Sequence, residues 1–306
     1  MGRAAVFLFF LISFSDGAGQ QVRWAGAVDI NGVSQWVTAR GSDAKNPVLL
    51  FLHGGPGNSV ISYARKFTSE LERKYIVVQW DQRNSGKTAT LSSVTPPVSV
   101  EILKSDVAAM IQHLRKQFSC EGIYLAGHSW GGFLALIAAQ EHPEWLYACF
   151  AINPMVKQDE SERQSLVWMK EEARRQGKKD ALIELDNVKV PFVDFEDLYV
   201  HRKWLSVLQG RKPVSREFVE QWSRQWLTLF KEASAMDLTT ATVFRCPVYF
   251  FLGSSDRQTV AQITADYYGK VQAEKKDLFW FTKSSHSLNL TEPKKLQDII
   301  LSLRNP

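Results

Sequence analysis

The chain has 306 residues, 45% hydrophobic and 23% charged, enough apolar side chain to bury a full core, so a disordered chain is excluded. No apolar run reaches the roughly 18 residues that a bilayer span requires, which excludes a multi-span membrane protein. The formal charge of +5 is spread thinly, and its densest basic group (Arg174, Arg175, Lys178, Lys179) follows Glu171 and Glu172, the mix of a solvated helix face and not of a nucleic-acid footprint.

Arg3 precedes an apolar stretch over residues 4–14, and Ser15, Gly17, Ala18 and Gly19 follow. That order fits a cleavable signal peptide over residues 1–19. Cleavage near Gly19 would make the mature chain secreted or periplasmic; without it the chain would stay in the cytoplasm.

From residue 22 short strands alternate with helices. Residues 22–30 and 33–40 flank Asn31-Gly32, a two-residue hairpin signal. The runs VLLFL (48–52), YIVVQW (75–80) and GIYLA (122–126) are continuously apolar, as expected of sheet strands covered on both faces. Between the last two, residues 100–118 carry apolar side chains at helical spacing. Strands follow at 146–152, 246–252 and 277–281, and a last helix at 293–303. Residues 154–240 break this rhythm: they read as helical, with 15 basic and 15 acidic side chains. The expectation is an α/β fold, a mostly parallel sheet with an inserted helical cap, the core formed by 20–153 and 241–306. Cys120, Cys149 and Cys246 form no C-x-x-C pair and sit beside apolar runs, which reads as buried structural thiols.

The strongest local signal is Gly127-His128-Ser129-Trp130-Gly131-Gly132, between the strand GIYLA and the helical run FLALIAAQEH. G-x-S-x-G in that setting is a nucleophile elbow, a strained turn that presents Ser129 Oγ. A serine hydroxyl needs a general base oriented by a carboxylate, here in the chain order Ser, Asp or Glu, His. Of six histidines only His286 lies in a loop just after a late strand, and it is the candidate base. Asp256, in FFLGSSD, follows the preceding strand and is the candidate acid; the other usual place holds Asn153, which carries no charge. Acyl transfer also needs donors for an oxyanion. The loop His53-Gly54-Gly55-Pro56-Gly57 follows VLLFL, and the backbone N–H groups of Gly55 and Trp130 are the candidates, with Gly54 as the substitute for Gly55.

With these residues assigned, HGGPG (53–57), WDQRNSGKT (80–88), GHSWGG (127–132), GSSD (253–256) and SSH (284–286) together resemble the prolyl iminopeptidase family of α/β-hydrolases. The resemblance implies an acyl-enzyme on the serine, release of N-terminal proline by peptidase members, and no metal or organic cofactor. It also implies that Asp81, Gln82 and Arg83 support the oxyanion loop. Three departures stand out. Asn84 replaces a usual glycine, and His128 replaces a frequent one in the elbow. In the cap, Leu227 follows Trp222 and Trp226 where aminopeptidase members carry a glutamate for the substrate's free amine. Glu160, Glu162, Glu184, Glu217 and Glu220 are the other cap glutamates that could serve.

Phe218, Trp222, Trp226 and Phe230 recur every four residues, a stripe that either packs the cap or, through Trp222 and Trp226, lines an acyl pocket. The leading expectation is a serine hydrolase that releases N-terminal proline or another small apolar residue from a small-molecule or short-peptide substrate. The alternatives are a carboxylesterase or lactonase on the same triad, and a non-catalytic binding protein on the same fold. Neither nucleic acid nor a stable membrane span is expected.

Overall fold

A computed structural model describes residues 12–13, 20–93 and 95–304. The segment read as a signal peptide lies outside the described residues, save a two-residue strand. Among the described residues nine strands form one sheet: β1 (Ile12–Ser13), β2 (Gln21–Ile30), β3 (Val33–Gly41), β4 (Val48–Leu52), β5 (Ile76–Trp80), β6 (Ile123–His128), β7 (Leu146–Ile152), β8 (Val248–Gly253) and β9 (Lys276–Phe281). Their spatial order is β1-β2-β3-β5-β4-β6-β7-β8-β9. β1, β2 and β3 pair antiparallel and β3 meets β5 antiparallel; from β5 to β9 every neighbour is parallel. The β2–β3 hairpin turns at Asn31 (φ 51°) and Gly32 (φ 76°), with Ile30 opposite Val33, the backbone that an Asn-Gly turn adopts readily.

The helices are α1 (Arg65–Thr68), α2 (Val100–Gln117), α3 (Trp130–Glu141), α4 (Gln158–Arg175), α5 (Lys179–Asp186), α6 (Phe195–Leu208), α7 (Arg216–Ser234), α8 (Ala261–Lys270), α9 (Leu288–Thr291) and α10 (Pro293–Ser302). The parallel strands β4–β8 are buried almost throughout on both faces, whereas the edge strand β9 is largely half-buried or exposed; the alternation of side chains divides the buried ones between two cores. Val48, Leu50 and Leu52 of β4 pack with α2, α3 and α8 on one side; Leu49 and Phe51 pack with α1 and α10 on the other. The helices α4–α7 interrupt the alternation between β7 and β8, and part of that insertion has its own small core of Met169, Ala173, Ala181, Leu185, Trp204, Leu205 and Leu208. Cys149 and Cys246 are buried as expected, whereas Cys120, just past α2, is half-buried.

Candidate active site

The first parallel strand after a long helix, β6, ends at the elbow. Ser129 has φ 56°, and a Cβ at Gly127 would fall on the Gly131 carbonyl. A Cβ at Gly131 would in turn fall on the carbonyl of Leu52 at the end of β4. Only glycine lets the turn close this tightly, and the tightness sets Ser129 at the N-terminus of α3.

Asp256 follows β8 and His286 follows β9, so the three candidates meet at the carboxyl ends of parallel strands, where ligands gather in open α/β sheets. Ser129 Oγ lies 3.0 Å from His286 Nε2, and His286 Nδ1 lies 2.8 Å from Asp256 Oδ2. Burial alone would raise the Asp256 pKa. Burial is the largest single influence, but the His286 charge and the hydrogen bonds from His286, the Thr259 hydroxyl and the Gln258 amide together outweigh it and bring the pKa to about 2. The carboxylate is therefore ionised throughout the neutral range.

The His286 loop is held from behind. The His286 carbonyl accepts from Asn153 Nδ2 at 2.9 Å and from His128 Nε2 at 2.7 Å. Since a carbonyl only accepts, His128 carries its proton on Nε2. Its pKa is pushed down to about 4, first by burial and then by the neighbouring His286. Asn153 Nδ2 also donates to the Ser285 carbonyl, and its Oδ1 accepts from the Gly253 amide. These two supports, together with Thr259, were missed in the sequence. In the sequence Asn153 reads only as an absent acid and His128 only as a motif member, and nothing in local spacing shows a hydrogen bond to a loop more than a hundred residues away.

Across the site, the loop 53–57 follows β4. Gly54 lies against Ser129: a Cβ there would be 3.2 Å from His128 Nδ1 and 3.5 Å from Ser129 Cβ. Gly55 adopts φ 123°, and the space a side chain would need is filled by the Gly57 and Asn58 amides. Trp130 is the first residue of α3, so its backbone N–H belongs to the turn whose amides have no partner within the helix. His53 is buried, its pKa lowered mainly by that burial. Its Nδ1 reaches the Gly54 carbonyl at 2.8 Å while its Nε2 accepts from the Gln82 amide at 3.2 Å.

The segment 81–83 divides its labour. Gln82 is the direct brace: Nε2 donates to the His53 carbonyl, and Oε1 accepts from Trp130 Nε1. Asp81 accepts from the Ser59 hydroxyl and the Lys87 amide. Arg83 turns away from the loop to a buried, two-point pair with Asp106 at 2.7 and 2.8 Å, so any support it lends to the loop is indirect. Asn84, the departure from glycine, has φ 60°, a left-handed conformation that asparagine tolerates better than most residues. Its Nδ2 donates to the Pro96 carbonyl.

The insertion reaches this loop through α7. Trp226 is buried and packs on Gly57, where a Cβ would collide with its ring. Trp222 Nε1 donates to the Pro56 carbonyl at 2.8 Å. A cavity of about 160 Å³ lies between loop and insertion, lined by Gly55, Leu198, Arg202, Trp222, Phe230 and Gln258 among others. Trp222 lines it; Trp226 sits behind Gly57 and is not among the lining residues. No Asp or Glu lines it among the described residues. No described group of three or more His, Cys, Asp or Glu could hold a metal ion, and no described helix is long and apolar enough to cross a membrane.

Residues 47–293 match the family model for the alpha/beta hydrolase fold. The chain belongs to this family. A Bacillus subtilis protein named "Probable aminopeptidase YbaC" is 29% identical to the hydrolase over 87% of this chain and 91% of its own length. A proline iminopeptidase of Xylella fastidiosa is 35% identical, over 34% of this chain and 31% of its own. Among solved structures, a Pyrococcus furiosus esterase superposes with a TM-score of 0.64 at 14% identity, covering 92% of this chain and 89% of its own, a likeness of fold alone.

Proposed function

We propose that this α/β hydrolase is a serine hydrolase that opens an ester or amide through an acyl-enzyme. The observation that carries the reading is the hydrogen-bonded relay Ser129 Oγ–His286 Nε2–Asp256 Oδ2. In it Ser129 Oγ attacks the substrate carbonyl while His286 Nε2 takes its proton and passes it to the leaving group. Asp256 holds the imidazole in the required tautomer and stabilises the imidazolium. The Trp130 and Gly55 N–H groups donate to the oxyanion, with Gly54 in place of Gly55 as the substitute. A water activated by the same histidine then releases the acid. Residues 20–153 and 241–306 are the catalytic core and 154–240 the cap.

The names of the sequence relatives support an aminopeptidase that releases N-terminal proline or another small apolar residue. A carboxylesterase or lactonase is the second reading, favoured by Leu227 and by the absence of a carboxylate from the cavity wall. The test compares kcat/KM on proline p-nitroanilide, its N-acetylated form and a p-nitrophenyl ester, with Ser129→Ala as the blank. A strong preference for the free amine establishes the aminopeptidase. Turnover of the ester alone establishes the esterase, and a Ser129→Ala rate equal to wild type rejects the serine mechanism.

A further inference from the structure

Glu162 of α4 is a buried carboxylate, 1% exposed, that does not line the cavity. Arg202 of α6 stands between. Its Nη1 donates to Glu162 Oε2 at 2.7 Å and its Nη2 to Oε1. Gln158 Nε2 also donates to Oε1, and His201 Nε2 lies 3.3 Å from Oε2. Oε1 thus has two donors and Oε2 has one, while His201 Nε2 bonds the Glu162 backbone carbonyl beside it. The guanidinium is held in place in turn: Nη1 also reaches His201 Nδ1 at 2.8 Å, and Phe192 and Phe230 lie under it at 5.5 and 5.9 Å. The other four glutamates that the sequence offered as candidates are engaged elsewhere, Glu160 with Arg163, Glu184 with Lys203 and Trp204, Glu217 with Gln221 and Glu220 with Arg224.

Resting on the hydrolase reading above, in its carboxylesterase form and not its aminopeptidase form, we propose that Arg202 is a specificity-determining residue. By locking Glu162 into a closed pair it denies the cavity a carboxylate, so the site takes uncharged, largely apolar groups and rejects a free ammonium. The physical reason is desolvation. An ammonium entering this cavity would lose its water beside a guanidinium, with no anion free to receive it. An alkyl chain or an acylated nitrogen incurs no such cost, and Leu198, Val219, Trp222 and Phe230 offer it an apolar wall.

The test is a binding measurement in the Ser129→Ala background, so that no ligand is consumed, with prolinamide and N-acetylprolinamide titrated calorimetrically. With Arg202 present, the neutral ligand should bind at least tenfold more tightly. Adding Arg202→Met uncovers Glu162 and should move that ratio at least tenfold toward prolinamide, and adding Glu162→Gln as well should cancel the gain. A preference for prolinamide with Arg202 intact overturns the proposal, as does an unchanged ratio in a folded Arg202→Met protein. If Arg202→Met fails to fold, Glu162→Gln leaves the guanidinium unpaired, and succinamate should then gain about tenfold over butyramide; no gain overturns the proposal. Turnover of p-nitrophenyl butyrate and of proline p-nitroanilide by the unsubstituted protein is read separately. The absence of both sinks the hydrolase reading, while the binding ratios still judge Arg202.

Discussion

Asn153 stands where some members of this fold could place an acid, and its side chain joins Gly253, Ser285 and His286 into one unit. In the proposed mechanism its contribution is to hold the histidine loop at the distance Ser129 requires. Small displacements of a reacting group are expensive, about 100-fold for 1 Å. Asn153→Ala should therefore lower kcat by roughly 10- to 100-fold with KM within about twofold, measured by steady-state kinetics on the best substrate; equal losses in stability and no change in kcat would reduce Asn153 to a structural link. Asp256→Asn keeps the shape but no longer enforces the tautomer, and should lower kcat by about 1,000- to 10,000-fold. A loss under tenfold would mean that another group orients His286.

At the scale of elements, α7 does two jobs with one stripe. Phe218 is exposed, Trp222 is half-buried and lines the cavity, while Trp226 and Phe230 are buried. A four-residue spacing places them along one helix face, but the slow drift of that spacing around the helix leaves the two ends in different surroundings. Trp226→Ala removes the packing behind Gly57 and should cost roughly 3 to 5 kcal/mol, read as a fall in the urea midpoint. Trp222→Phe keeps most of the apolar area and loses one hydrogen bond, a cost of about 1 kcal/mol. Its effect should appear instead in the ranking of p-nitrophenyl acyl esters by chain length. An unchanged ranking would make Trp222 packing alone.

At the scale of the molecule, acid should loosen this fold well before its carboxylates titrate. His128 and His201 both have pKa values pushed down to about 4, chiefly by burial, from an ordinary 6.5. As pH falls through 6.5 the unfolded chain takes up these protons and the folded chain does not, so stability falls until the folded values are reached. Each histidine contributes a loss of roughly 2 to 3 kcal/mol between pH 6.5 and 4. Asp256 acts in a lower window with the same sign. Its stabilising charge is complete above the ordinary 3.8 and disappears as pH falls toward 2. Urea midpoints at pH 7.0 and 4.5 should differ clearly, and His201→Gln should narrow the gap. An equal gap in that variant would assign the acid sensitivity elsewhere.

Much of this was legible in the chain itself. The strands VLLFL and LYACFAI appear at the predicted residues, 48–52 and 146–152, and most other bounds move by one or two. Apolar runs, helical spacing and glycine turns are local properties, written within a few neighbouring residues. The order Ser, Asp, His is likewise readable, because the elbow and the loops after late strands are local signals. What the chain could not declare is which distant groups meet. That Asn153 and His128 share the His286 carbonyl, that Arg83 turns to Asp106, and that Arg202 closes over Glu162 depend on contacts between 23 and 158 residues apart. Hydrogen bonds of that kind leave no periodicity; only the packing of the sheet, the loops and the inserted helices selects the partner.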